Sequence, residues 1–282
     1  VAFALTQLYF GEGANGQWKS VGMNIDGLES DETSTDLCQP SAGGNPAISY
    51  PDGVDGIDNS FGKNLLPIII GLVPTWPAEV NDYIDSGYFN TMLKLYCLPP
   101  SGDAAQLTTK AFGGTDLGYP PLFTGVDPWP VAPELLGDLQ DPESSTLVFP
   151  NSSVTNDVYD SGPGNTLVLS IPIDYNDETT TIKMTIYSAR VRMTLSNDRK
   201  TATNGVISGV LNTEEVIDQL NEVAFTAGVC DEAMFQQAIN FVRQSSDIMT
   251  DGTQDPGQTC DGISVGLNFD MEIGRASCRE RV

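Results

Sequence analysis

The chain has 282 residues, with 38 Asp and Glu against 13 Lys and Arg, no histidine and a formal net charge of -25. Nucleic acid is excluded as a partner, because phosphate binding needs clustered Lys and Arg. Without histidine there is no Ser-His or Cys-His nucleophile and no His-ligated zinc. No apolar run approaches the roughly 20 residues that a membrane-spanning helix needs, so the sequence predicts no transmembrane segment.

Alternating apolar and polar residues, with the period of two that half-buried strands show, predict four strands. They cover residues 21–25, 89–97, 167–173 and 263–269. A longer run, residues 180–195, changes its apolar parity between Ile186 and Ala189 without a turn residue in between. This change predicts one strand with a β-bulge.

Capping residues predict a first pair of helices after residue 60. Asn64 is expected to cap a short helix with Pro67 in its first turn. Thr75 is expected to cap a second helix that Gly87 ends. The apolar face of this second helix contains Trp76, Val80, Tyr83 and Ile84.

A second pair of helices is predicted after residue 210. Asn212 and Glu215 have the spacing of a capping box, and Asp231 is expected to open the last helix. The inward faces of the two helices contain Val216, Leu220 and Val223, and Met234, Phe235, Ala238, Ile239 and Val242.

Between the two pairs, residues 113–150 are rich in Gly and Pro. The segment also carries Trp129, Leu135, Leu136 and Phe149, which a free linker would not need. We therefore expect a packed surface loop inside a single α+β domain over residues 1–272. The expected core is an antiparallel, β-sandwich-like arrangement with a few amphipathic helices.

The end of the chain, IGRASCRERV from Ile273 to Val282, differs in composition from the rest, with three Arg in ten residues. It resembles the in-frame translation of a common sequencing adapter. We therefore expect residues 273–282 to be an assembly artefact that takes no part in the fold. Since the chain also starts at Val1, we expect a fragment that lacks both native termini.

Cysteine usage indicates the compartment. Outside the adapter-like tail there are four widely spaced cysteines, Cys38, Cys97, Cys230 and Cys260. They favour two disulfides formed in an oxidising compartment, with buried free thiols as the alternative. Of the three pairings, Cys230 with Cys260 and Cys38 with Cys97 is favoured.

Three stretches resemble a family of uncharacterised lipoproteins of myxobacteria-like bacteria. They are DGVDGIDNSFGKNLLPII, DPWPVAPELL and RQSSDIMTDGTQDPGQTCDGISVGLNF, and the resemblance extends over most of residues 1–271. It implies export to the periplasm or outer envelope and lipid anchoring, through a cysteine that would lie outside this chain. It supplies no catalytic residues.

The most specific candidate site is YPDGVDGIDNSFG, residues 50–62. Asp52, Asp55 and Asp58 recur at every third position, so a turning backbone would bring them and Asn59 together on a calcium ion. The alternative is a loop in which the Asp side chains accept hydrogen bonds from their own backbone. A second acidic loop carries Asp251, Asp255 and Asp261, for which turn chemistry is favoured.

No catalytic residue is predicted. Ser264 in GISVG has no histidine to activate it, and it lies in a predicted strand. The prediction is a non-catalytic exported cell-envelope protein with a structural or binding role and an unknown ligand. The alternative is a calcium-assisted carbohydrate-binding module or glycoside hydrolase, in which Trp18, Trp76, Trp129 or Tyr119 would stack on sugars.

Overall fold

The computed structural model describes residues 1–12, 16–175, 178–227 and 233–276. The strands in these ranges are β1 Ala2–Tyr9, β2 Asn90–Tyr96, β3 Ala104–Gly114, β4 Pro128–Trp129, β5 Val148–Thr155, β6 Val158–Asp160, β7 Asn165–Tyr175, β8 Glu178–Leu195, β9 Thr201–Asn212 and β10 Gly262–Ala276. The α-helices are α1 Pro46–Ser49, α2 Leu66–Leu72, α3 Trp76–Ser86, α4 Thr213–Ala227 and α5 Ala233–Gln244.

The strands form one large and mostly antiparallel sheet that closes on itself. Its order is β1-β2-β3-β5-β6-β8-β9-β10, and β10 pairs back with β1. Strand β7 pairs with the first half of β8, and the short β4 pairs in parallel with the end of β10. Strand β1 pairs with β2 on one side and with β10 on the other, so the strands form one continuous sheet. The predicted β-sandwich, which would consist of two packed sheets, is therefore not confirmed.

The predicted bulge in residues 180–195 is confirmed. Strand β8 runs through the whole segment, and its register against β9 shifts between Tyr187 and Arg190. Ser188 lies at this shift with φ 47°. On either side of it Ile186 and Ala189 are both fully buried, so the bulge keeps apolar residues on the inner face although their parity changes.

Three of the four other predicted strands are confirmed as β2, β7 and β10. The prediction for residues 21–25 is wrong, because this segment does not join the sheet. The Ile25 amide donates to the Asp58 carboxylate at 2.6 Å, and the Met23 carbonyl accepts from the Asp58 amide at 3.2 Å. A loop held by Asp58 therefore replaces the strand.

The first pair of helices is partly as predicted. Helix α3 follows Thr75, whose side chain makes no capping hydrogen bond, and it ends at Gly87 as predicted, with a left-handed φ of 82°. Asn64 is not a helix cap, because a π-helical turn over Phe61–Leu65 precedes α2. Its side-chain amide is buried and donates to the Ser60 hydroxyl at 2.8 Å.

In the second pair of helices, α4 begins at the predicted capping residue, Asn212. The Asn212 side chain accepts hydrogen bonds from the Glu214 and Glu215 amides at 3.1 and 3.2 Å. The Glu215 side chain accepts from the Tyr187 hydroxyl at 2.7 Å and so does not complete a capping box. Asp231, the predicted cap of the last helix, lies outside the described residues.

Residues 113–150 pack against the sheet as expected. Trp129 and Phe149 are fully buried, and Val131 forms a β-bridge with Gly114. In the part of the chain that the structure describes, no helix is both long enough and apolar enough to cross a membrane.

The adapter-like tail begins inside strand β10. Ile273 pairs with Phe3 of β1, its amide donates to the Lys200 carbonyl at 2.8 Å, and its carbonyl accepts from the Gly125 amide at 3.1 Å. The expectation that residues 273–282 take no part in the fold is therefore wrong for residues 273–276. Strand pairing uses backbone groups, so it does not depend on the side chains of these four residues. The remaining six residues lie outside the described ranges.

The favoured disulfide pairing is also wrong, since Cys38 bonds to Cys260. A parallel bridge between Gln39 and Thr259 aligns the two segments, and the Cys260 amide donates to the Gln39 carbonyl at 2.9 Å. Cys97 is a free, exposed thiol just beyond β2. Cys230 lies outside the described residues.

Candidate functional site

The predicted calcium loop does not bring its four residues onto one point. The Asp52 carboxylate accepts a hydrogen bond from the Ser30 amide at 2.6 Å, and Asp58 accepts from the Ile25 amide. Asp55 is exposed and has a left-handed φ of 55°. The Asp52 and Asp58 carboxylates therefore bond to the backbone of the preceding loop over residues 25–30, so the alternative prediction, in which they accept hydrogen bonds from their own backbone, is wrong for these two residues.

Asn59, the fourth predicted ligand, is fully engaged in the protein interior. Its amide nitrogen donates to the Val21 carbonyl at 2.9 Å and lies 3.4 Å from the Gly266 carbonyl. Its oxygen accepts from the Gly62 and Gly266 amides at 2.8 and 3.1 Å. Among the described residues no group of three or more Asp, Glu or Cys side chains is arranged to hold a metal ion. The geometry therefore gives the calcium prediction no support.

What the structure does assemble is an acidic cluster, which we define as Asp26, Asp52, Asp58 and Asp247. Burial and the charge of Asp26 raise the pKa of Asp58 to about 9. Burial raises the pKa of Asp52 to about 6 and that of Asp247 to about 7. Asp26 and Asp247 come from loops far away in the sequence, so the spacing of residues 52–58 carried no signal for them.

Ser264 contacts this cluster and has a structural role. Its hydroxyl donates to the Asp247 carboxylate at 2.6 Å and accepts from the Ser60 amide at 2.8 Å. The side chain is fully buried, so no substrate has access to it. The expectation that GISVG is not a nucleophile motif agrees with this position, since Ser264 lies within β10.

Next to the cluster is an open groove of about 880 Å³, which we call the Trp18 cleft. Its apolar lining residues include Leu66, Pro67, Ile70, Pro74 and Pro77, of which Leu66 and Pro77 are buried and Pro67 and Pro74 are exposed. Small-molecule sites have volumes in this range, and the lining here mixes apolar residues with polar and charged ones.

The cleft exists because helix α3 is fixed at an offset along strand β1. The Asn81 side chain accepts from the Leu8 amide at 2.8 Å and donates to the Leu8 carbonyl at 2.9 Å. Phe10 packs on Trp76 with ring centroids 4.5 Å apart. These buried contacts anchor α3, and the segment before α2 then forms the opposite wall.

Aromatic side chains are accessible in this cleft. Trp18 is partly exposed and Tyr9 is 41% exposed, whereas Trp76 and Trp129 are 2% and 0% exposed and belong to the core. The ammonium groups of Lys63 and Lys19 lie 5.1 and 5.6 Å from the centre of the Trp18 ring. Trp18 is thus the one tryptophan of the three that a ligand in solution is able to contact.

Carboxylates line the rim of the cleft. Glu12, Asp82 and Asp85 contribute side chains to it, and Lys63 is the only Lys or Arg among the described residues of the lining. Glu12 accepts from the Phe10 amide at 2.9 Å. The Lys63 ammonium donates to the Pro51 carbonyl at 2.8 Å. Burial lowers the pKa of Lys63, although the negative charges of Asp247 and Asp52 act to raise it.

The second predicted acidic loop lines a different groove, of about 670 Å³. Its carboxylates close local turns: Asp251 accepts from the Thr253 amide and Asp255 from the Gly257 amide. Asp261 accepts from the Thr250 amide at 2.7 Å. Turn chemistry, the favoured prediction for this loop, describes what these side chains do.

Sequence reasoning named Trp18 only as one aromatic among several and missed the cleft. The lining combines strand β1 and a 3-10 turn at Gln17–Ser20 with the consecutive helices α2 and α3, which begin more than 40 residues further along the chain. Comparison of the chain with protein-family models, with curated proteins and with solved structures found no match.

Proposed function

We propose that this chain is a non-catalytic, exported cell-envelope protein that binds a ligand in the Trp18 cleft. The observation that carries the proposal is one groove whose lining contains an accessible Trp, an accessible Tyr and several Leu, Ile and Pro residues. Aromatic and aliphatic surface of this kind gives affinity, and the rim carboxylates would give orientation. The disulfide between Cys38 and Cys260 supports export, because disulfides persist in oxidising compartments.

A second candidate is the carbohydrate-binding function. Trp18 and Tyr9 would offer faces for the C–H groups of a sugar ring, and Asp82 and Asp85 would accept hydrogen bonds from its hydroxyls. Without support for calcium in the geometry, this candidate rests on the cleft alone. Lipid anchoring remains part of the proposal on the strength of the family resemblance.

The binding function is tested by ligand-dependent thermal shift with the whole chain. A panel of neutral oligosaccharides, amines and short peptides should contain a ligand that raises Tm in the native protein. Linkage gives about 2.7 kcal/mol of stabilisation at a ligand concentration one hundred times Kd. Trp18→Ala should reduce the shift measurably, and Trp18→Phe should retain most of it.

Tyr119→Ala is the matched control, because Tyr119 is 40% exposed but lies outside the cleft. This variant should respond to the ligand like the native protein. A ligand shift that keeps its full size in Trp18→Ala would show that binding takes place elsewhere and would remove the proposed site.

A further inference from the structure

The charge of the Trp18 cleft selects among the ligands that its shape admits. Asp82 and Asp85 are three residues apart on α3, so both project from one side of the helix. Neither carboxylate has a hydrogen-bond or ion-pair partner among the described residues. Glu12 adds a third negative charge at the rim.

The one cation of the lining does not neutralise these groups. Lys63 is partly buried, and its ammonium donates to the Pro51 carbonyl. The negative charges that act on the Lys63 ammonium are those of Asp247 and Asp52 in the acidic cluster, and not those of the rim carboxylates. The rim of the cleft therefore keeps a net negative potential, and the charge of -25 on the whole chain reinforces it.

The Trp18 ring already shows how a cation would bind. Ammonium groups of two lysines lie within 6 Å of its centre, in the range of cation–π attraction. Lys19 is exposed, so a ligand ammonium is able to replace it at the ring, whereas Lys63 is held by the Pro51 carbonyl and stays 5.1 Å from the ring centre.

We propose that the ligand of the Trp18 cleft is a linear aliphatic polyamine. Its methylene groups would contact the apolar lining residues, and its ammonium groups would bind at Asp82, Asp85 and Trp18. This inference rests on the proposed function and specifies the ligand class. A polyamine combines apolar stretches with several positive charges, and the lining contains the aliphatic, aromatic and carboxylate groups that these would contact.

Isothermal titration of the whole chain with spermidine tests the inference. Asp82→Asn combined with Asp85→Asn should raise Kd at least about fivefold, since two partly exposed ion pairs are lost. Trp18→Ala should raise Kd by a similar factor through loss of the cation–π contact. Added NaCl should weaken binding, because exposed charges are screened.

The control removes the same number of charges elsewhere, by Glu32→Gln with Glu134→Gln, two exposed side chains outside the cleft. It should change Kd by less than about twofold. Equal weakening in both double variants would show general attraction between a polyanion and a polycation and would overturn the proposal. Failure of spermidine, together with a Trp18-dependent shift by a neutral oligosaccharide, would overturn the polyamine alone. If neither ligand binds, both proposals fail.

Discussion

Asn59 and Asp58 are adjacent in the sequence and buried, yet they stabilise the fold in different ways. Asn59 is neutral, and its amide group bonds to three separate backbone segments around Val21, Gly62 and Gly266. Asp58 bonds to one loop and carries a carboxyl group that burial disfavours in its charged form. At the scale of single residues, one side chain is thus indifferent to pH and the other is sensitive to it.

Asn59→Ala should lower the free energy of unfolding by about 3 kcal/mol. The substitution leaves the buried Gly266 amide and Val21 carbonyl without partners, and each such group costs about 1–3 kcal/mol. Urea unfolding followed by circular dichroism measures the loss. Asn151→Ala at an exposed position is the control and should change stability by less than about 0.5 kcal/mol. A loss for Asn59→Ala as small as the control would contradict a structural role.

Unfolding free energy should fall as the pH rises from 5 to 9. An Asp in an unfolded chain titrates near pH 4. The folded-state pKa values of Asp52, Asp247 and Asp58 are raised to about 6, 7 and 9, so the folded chain binds their protons more tightly. The resulting stabilisation is complete below about pH 4 and is lost as the pH passes through those folded-state values.

Burial lowers the pKa of the Val1 amino group below its ordinary value, so this group opposes part of the decrease, whereas Asp160 acts outside this pH window. Burial opposes ionisation of Asp160, yet hydrogen bonds from Arg190 hold its pKa below the ordinary value, so its contribution is lost only at acid pH. Asp58→Asn should flatten the decrease between pH 5 and 9, while Asp36→Asn at an exposed position should leave it unchanged. Stability that is constant or rising over this range in the native protein would contradict the prediction.

At the scale of elements, the bulge of β8 depends on a glycine of the neighbouring strand. A Cβ on Gly209 would lie 2.5 Å from a methyl group of Ile186 and 2.6 Å from the Tyr187 carbonyl oxygen. The two strands approach closely at this point, where the register shifts. Only a residue without a side chain lets the bulge pack against β9.

Gly209→Ala should therefore destabilise the protein by about 2 kcal/mol or more, since part of the clash is with backbone that has little freedom to move. Gly71→Ala is the matched control. Gly71 lies in α2, and an added methyl group there would meet no atom within 4 Å, so helix propensity should stabilise the variant by about 0.5–1 kcal/mol. Thermal unfolding compares the two, and a similar effect of both substitutions would exclude close packing at the bulge.

Local patterns predicted elements well where packing enforces them. The parity change around Ile186 and Ala189 marked the bulge, because one face of β8 must stay apolar. The prediction for residues 21–25 was wrong because a distant side chain, Asp58, takes the hydrogen bonds that a strand would need. The Trp18 cleft was out of reach for a similar reason, since Asn81 fixes α3 on β1 through contacts 73 residues apart.

At the scale of the whole molecule, one covalent bond opposes the repulsion of an excess of negative charge. The bond between Cys38 and Cys260 joins segments 222 residues apart in the sequence. It closes the N-terminal loops onto the start of β10, beside the acidic cluster. A chain with a net charge of -25 gains from such a constraint, because self-repulsion favours expanded states.

Cys38→Ser combined with Cys260→Ser should lower the free energy of unfolding by about 2–5 kcal/mol, as loss of a native disulfide typically does. The reason is that the bond restricts the unfolded chain over a long loop, and urea unfolding measures the change. Cys97→Ser should be close to neutral, because Cys97 is an exposed free thiol. A peptide map of the oxidised protein expressed in the periplasm should contain the linked Cys38 and Cys260 peptides. A map with Cys38 joined to Cys97, or a destabilisation by Cys97→Ser as large as that of the double variant, would contradict this pairing and with it the closure of the N-terminal loops onto β10.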